Sequence, residues 1–161
     1  MTILRIGLAV LILCSMMAFS QTTNVHAKPL TDDDIKLLRQ DVQSVKDEVI
    51  TKTMQFSPAE SKAFWPVYRE YASEQHALAD KRLGLITEYA QNLDKMDDAT
   101  AKSLTMRFFQ LEDDDLALRK KYFPKFAAAL GAKRAAKFYQ VDNRLTMMID
   151  VQLASEIPLI P

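Results

Sequence analysis

Phe56-Ser57-Pro58-Ala59-Glu60-Ser61-Lys62-Ala63-Phe64-Trp65-Pro66-Val67-Tyr68 is the stretch that decides how this chain folds. A serine at a helix start accepts a bond from a free backbone N–H, and a glutamate three residues later returns one to the serine N–H. Proline suits the first helical position, where its missing N–H has no partner to lose. Ser57, Pro58 and Glu60 therefore predict a helix that begins at 58. Behind them Phe64, Tyr68, Tyr71, Leu78, Leu85 and Tyr89 recur on one helical face, out to about residue 92. Asp97 or Asp98 caps a second helix whose stripe is Leu104, Phe108, Leu111, Leu118 and Tyr122, and Gly131 supplies a left-handed end near residue 130. About five residues join the two, so they return as an antiparallel hairpin (58–92 and 98–130) with arms about 50 Å long.

Two further helices flank the hairpin. Thr31 and the acidic run Asp32-Asp33-Asp34 open a helix over 32–53, with Ile35, Leu38, Val42, Val45 and Val49 as its stripe. The last helix spans 132–155, carries Phe138, Leu145, Ile149 and Leu153, and gives way to Pro158 and Pro161. The expected fold is all-α, with the hairpin packed against these two helices in a single domain over 28–161.

Residues 1–27 read as a signal peptide. Arg5 is the one positive charge, residues 6–19 are apolar, and Val25-His26-Ala27 places small residues at the cleavage positions. The apolar run falls short of the roughly 20 residues of a membrane span. Ser20 offers a second cut, and Leu13 before Cys14 does not suit a lipid-attachment site. Cleavage after Ala27 leaves 134 of the 161 residues, no cysteine, 20 basic and 21 acidic side chains, and Gly84 and Gly131 as the glycines. An exported, periplasmic chain without a membrane span follows. Its lack of basic excess argues against nucleic-acid partners.

Two prolines and one aspartate stand out. Pro66 and Pro124 lie inside predicted helices, each 29 residues from Lys95, so a hairpin centred there sets them side by side as two kinks that bend it; alternatively each marks a helix end. Asp115 falls on an apolar stripe opposite Gln75 and His76. The expectation is a buried polar layer of those residues that fixes the hairpin register, against a solvated carboxylate if the stripe drifts.

Catalysis finds little support. His76 is the one histidine beyond the leader, with no cysteine or nucleophile turn to serve, and no glycine loop cradles phosphate. Glu112-Asp113-Asp114-Asp115 point in different directions on a helix and cannot form one coordination sphere. His76 and Asp80 share a face, but two ligands are not a metal site. No enzyme, cofactor or metal is expected. Phe64, Tyr68 and Tyr71, with Trp65 turned about 100° away, form either ordinary core or an apolar patch for partner proteins.

Phe56-Ser57-Pro58-Ala59-Glu60, and again Leu130-Gly131-Ala132-Lys133-Arg134-Ala135-Ala136-Lys137-Phe138, resemble the Leu-Thr-x-x-Gln motifs of the periplasmic Spy/CpxP family, each at a helix start. Phe56, Ser57 and Glu60 depart from the motif's leucine, threonine and glutamine. Phe64-Trp65-Pro66-x-Tyr68 and Ile157-Pro158-Leu159 are also similar to segments of a group of exported bacterial proteins of unknown role. The resemblance implies a homodimeric, cradle-shaped helical protein that holds unfolded clients, or one that restrains a membrane sensor kinase as a regulatory or metal-sensing partner.

Overall fold

The computed structural model describes the backbone of residues 32–160 and the side chains of residues 42–160. Four helices follow in order: α1 (Asp32–Met54), α2 (Pro58–Asn92), α3 (Asp98–Leu130) and α4 (Ala132–Glu156). A single 3-10 turn covers Leu93–Lys95, and no strand occurs among the described residues. The fold is all-α, with boundaries within one residue of those expected. The leader over residues 1–27 lies outside the described residues, and no described helix is long and apolar enough to cross a membrane.

Local chemistry sets the helix ends. At α2 the Ser57 N–H donates to Glu60 Oε2 at 2.9 Å, and the Glu60 N–H donates to Ser57 Oγ at 3.3 Å, which completes the capping box. Asp97 caps α3 by accepting from the Thr100 N–H at 2.7 Å. Gly131 is the only residue between α3 and α4, at φ 78° and ψ 149°. Its φ is positive as expected, but its ψ is extended rather than left-handed helical, a region open almost only to glycine. That geometry lets its N–H bond Ala127 while its carbonyl accepts from Ala135, so one residue ends one helix and begins the next. α1 ends differently. Gln55 takes φ 48°, and its N–H closes the last turn on Thr51.

Ion pairs across α2 and α3 give the hairpin register. Glu70–Lys125, Glu74–Lys121, Arg82–Glu112 and Glu88–Arg107 have midpoints between residues 97 and 98 or at 97. The centre is thus two residues beyond Lys95, because the 3-10 turn prolongs the first arm before the chain reverses. Pro66 and Pro124 are consequently staggered by about five residues, or ~7 Å, rather than level. α2 and α3 run unbroken through both. Each proline is exposed, where water can satisfy the carbonyl that loses its N–H partner.

α1 lies antiparallel to α4: Lys137 Nζ donates to the Thr53 carbonyl at 2.8 Å, and Lys46 pairs with Asp142 at 3.3 Å. The main core sits at the end remote from the hairpin turn. It joins Ile50 and Met54 of α1, Phe64, Tyr68 and Tyr71 of α2, Leu118, Tyr122 and Phe126 of α3, and Ala135, Phe138 and Val141 of α4. A smaller cluster of Leu85, Leu104 and Leu111 closes the hairpin near its turn. α1 buries Ile50 and Met54 and leaves Val42 and Val45 exposed. Over residues 42–54 the expected stripe is displaced by about one residue, because capping by α4 fixes how α1 is rolled: Arg134 Nη2 and Lys137 Nζ reach the free carbonyls of Met54 and Thr53; the side chains of Ile35 and Leu38 lie outside those described.

Candidate functional site

Beyond the main core, residues of all four helices line an open groove of about 450 Å³. Val42 of α1, Leu78, Leu83 and Ile86 of α2, Leu111 of α3, and Ile149 and Leu153 of α4 line it with aliphatic carbon. Charges stand around that lining. Arg82 spans the groove side, with Nη1 on Asp150 at 3.2 Å and Nη2 on Glu112 at 2.5 Å, and so ties α2 to both α3 and α4. Arg119 pairs with Asp115 at 2.7 Å and donates to Asn143 at 3.2 Å. Apolar surface framed by a few fixed polar groups suits a binding cleft.

A closed polar circuit seals one end. Lys46 Nζ lies 3.3 Å from Asp142 Oδ1 and donates to Gln75 Oε1 at 3.4 Å. Gln75 Nε2 donates to the Tyr71 hydroxyl at 2.9 Å, which donates to Asp142 Oδ2 at 2.9 Å. Asp142 is the one charged residue buried among the described residues, at 1% exposure. Burial, with the neighbouring carboxylate of Asp142, pushes the Tyr71 hydroxyl far above its ordinary value, so it stays a proton donor. Beside it Tyr68 accepts from Gln43 at 3.1 Å and is likewise raised, chiefly by burial.

The aromatic residues expected as either core or partner surface prove to be core. Phe64, Tyr68 and Tyr71 are at most 1% exposed, and Phe64 packs against Phe138 at 5.0 Å and Phe126 at 5.4 Å. Trp65 is half-buried, edge-on to Phe64 and Tyr68. They offer no free patch, because α4 folds over the face that an isolated hairpin would expose.

Asp115 stands beside Gln75 and His76 as expected, but it is half-buried rather than buried. It reaches one turn along its own helix to Arg119 and lines the groove with Gln75 and His76. The buried layer forms instead at Asp142, which the sequence reading missed. Its signal was present: Asp142 stands four residues after Phe138 and three before Leu145, the rule that singled out Asp115. Ser57 and Glu60 do occupy their expected places. Glu60 also pairs with Arg134 at 2.5 Å, and Arg134 stacks 6.0 Å from the Phe56 ring, so the two motif-like segments meet. Bonds from Ser57, with Arg134 nearby, hold the Glu60 carboxyl below its ordinary value.

His76 lines the groove and Asp80 follows one turn later on α2, exposed. Among the described residues no group of three or more His, Cys, Asp or Glu could hold a metal ion. In comparisons with known proteins, no family model matches the chain, and no curated protein and no solved structure is detectably similar to it.

Proposed function

We propose that this chain is an exported, non-enzymatic helical binding protein of the Spy/CpxP kind, which holds apolar segments of unfolded or partner proteins in the groove between its helices. The observation that carries this reading is the groove itself, about 450 Å³ lined by Val42, Leu78, Leu83, Ile86, Ile149 and Leu153. Val42, Leu83 and Ile149 are each at least 40% exposed, although burying such side chains is favourable by about 1.5–3 kcal/mol each. A surface that leaves such carbon in water is suited to transient capture of other chains. The meeting of the two motif-like helix starts at Glu60 and Arg134 supports the family reading.

The test is light scattering of an aggregating client with and without the protein. The reading expects suppression near equimolar protein, and expects Leu83→Glu and Ile149→Glu, exposed substitutions that put charge in the groove, to weaken it several-fold. Absence of suppression by the unaltered protein would overturn the reading.

A further inference from the structure

The groove has the dimensions of one alkyl chain. On α2 its lining runs from Gln75 to Ile86, about 17 Å at helical rise, and about 450 Å³ spread over that length gives a mean section of roughly 26 Å². An α-helix with its side chains is about 10–12 Å across and so needs a section of roughly 80–110 Å². A helical segment of another protein can therefore lay side chains on the rim but cannot enter bodily. An extended peptide fits lengthwise no better. The lining residues lie within helices whose backbone N–H and carbonyl groups are already paired, outside the last turn of α4, so the peptide backbone would find few partners. A saturated chain has no such groups to satisfy. The groove's ~17 Å also matches the ~15 Å that acyl chains span in one leaflet of a bilayer.

The lining suits such a chain in character as well as in size. Leu78, Leu83, Ile86, Ile149 and Leu153 contribute aliphatic carbon, and none of the described residues that line the groove is phenylalanine, tyrosine or tryptophan, although rings fill the core beside it. The two ends differ in charge. Toward the hairpin turn Arg82 is shared by Glu112 and Asp150, which leaves one negative charge in excess. At the other end Lys46 and Arg119 balance Asp142 and Asp115. There the Arg119 Nε–H is buried and meets no hydrogen-bond acceptor among the described residues, and a buried donor of that kind calls for a partner. We propose that the groove binds a free long-chain carboxylate, with its alkyl chain laid along Leu78, Leu83, Ile86, Ile149 and Leu153 and its head beside Arg119 and Lys46. The ligand occupies the groove assigned above to apolar protein segments, and neither kind of binding requires the other.

Isothermal titration of the purified protein with tetradecanoate, below the concentration at which the acid aggregates, tests it. Saturable uptake of one molecule per chain is expected, with dodecanoate about tenfold weaker because two fewer methylenes are buried. Leu83→Glu and Ile149→Glu, both at exposed positions, should each weaken tetradecanoate by about tenfold or more. Arg119→Gln should weaken dodecanoate about tenfold yet leave dodecanol, which lacks the charge, within about twofold. An unchanged circular dichroism spectrum checks that the variants remain folded. No saturable binding up to roughly 0.1 mM, equal affinity for the two chain lengths, indifference to both glutamate variants, or an Arg119→Gln effect equal for acid and alcohol would overturn the proposal. Attachment to phosphatidylglycerol vesicles that Leu83→Glu abolishes, without uptake of the free acid, would overturn it in favour of a membrane surface. A protein that takes up tetradecanoate without suppressing client aggregation keeps this proposal and loses the protein-holding one; the opposite result does the reverse.

Discussion

The Tyr71 hydroxyl donates a 2.9 Å hydrogen bond to Asp142 Oδ2 across 71 residues of sequence, and this contact joins α2 to α4 inside the fold. A buried carboxylate is tolerable only while its partners stay in place. Here they are Tyr71 and Lys46, and Lys46 is itself only 13% exposed at its side chain.

Asp142→Ala should therefore cost about 3–5 kcal/mol, because it leaves a nearly buried ammonium without its counter-charge and a buried hydroxyl without an acceptor. Asp142→Asn keeps an acceptor for Tyr71 and should cost less. Denaturant titration of the three proteins checks the order, and equal stabilities would show the circuit to be unimportant.

Phe64 touches Phe56, Trp65, Tyr68, Phe126 and Phe138 and has no exposed surface. Phe64→Ala should lower stability by about 3–5 kcal/mol, whereas Met148→Ala, at a side chain 71% exposed, should change it by less than about 0.5 kcal/mol. Thermal melts of both variants would expose an error in the placement of the core.

Two backbone positions with positive φ should respond in opposite directions. Gly131→Ala meets no atom within 4 Å yet must hold φ 78°, and should cost about 1–3 kcal/mol of strain. Gln55→Gly relieves φ 48° at the end of α1 and should stabilise by about 0.5–1 kcal/mol. A destabilised Gln55→Gly protein would mean that the Gln55 side chain does more than occupy that turn.

Acid should weaken the fold through two helix caps and one ion pair between α2 and α3. Glu60, held down by bonds from Ser57, Glu74, held down by Lys121 and Tyr122, and Asp97, held down by Thr100, all have folded values below the ordinary 4.5 for glutamate and 3.8 for aspartate. A lowered folded value means that the stabilisation is complete above the ordinary value and fades as pH falls through the folded one. The stability gap between the native protein and Glu60→Gln should thus be constant above about pH 5 and shrink below pH 4.5. Urea midpoints measured at pH 7, 5, 4 and about 3 follow it, and a gap that stays flat to the lowest pH would contradict the assignment.

Much of the architecture was legible in order along the chain. Ser57, Pro58, Glu60, Asp97 and Gly131 act through bonds to neighbours within four residues, so their identity and spacing suffice to place helix ends. The stripes of α2 and α3 were legible for the same reason, except at Phe108, which is 43% exposed where a buried position was expected. The site was less legible. Arg82, Glu112 and Asp150 converge from three helices, and a register centred on Lys95 would have set Arg82 opposite residue 108. An error of two residues at the turn moves every pairing along both arms by about one helical turn.

The amino-acid sequence by itself determined four helices, their ends and the hairpin that joins two of them, because caps, proline, glycine and apolar period all act over less than about two helical turns. Only the tertiary structure decided that Phe64, Tyr68 and Tyr71 are closed over, that Asp142 rather than Asp115 is the buried charge, and that the prolines are staggered. Each of these depends on how one helix is rolled and slid against another. That choice is made by packing and ion pairs between residues tens of positions apart, which periodicity within a single helix does not encode.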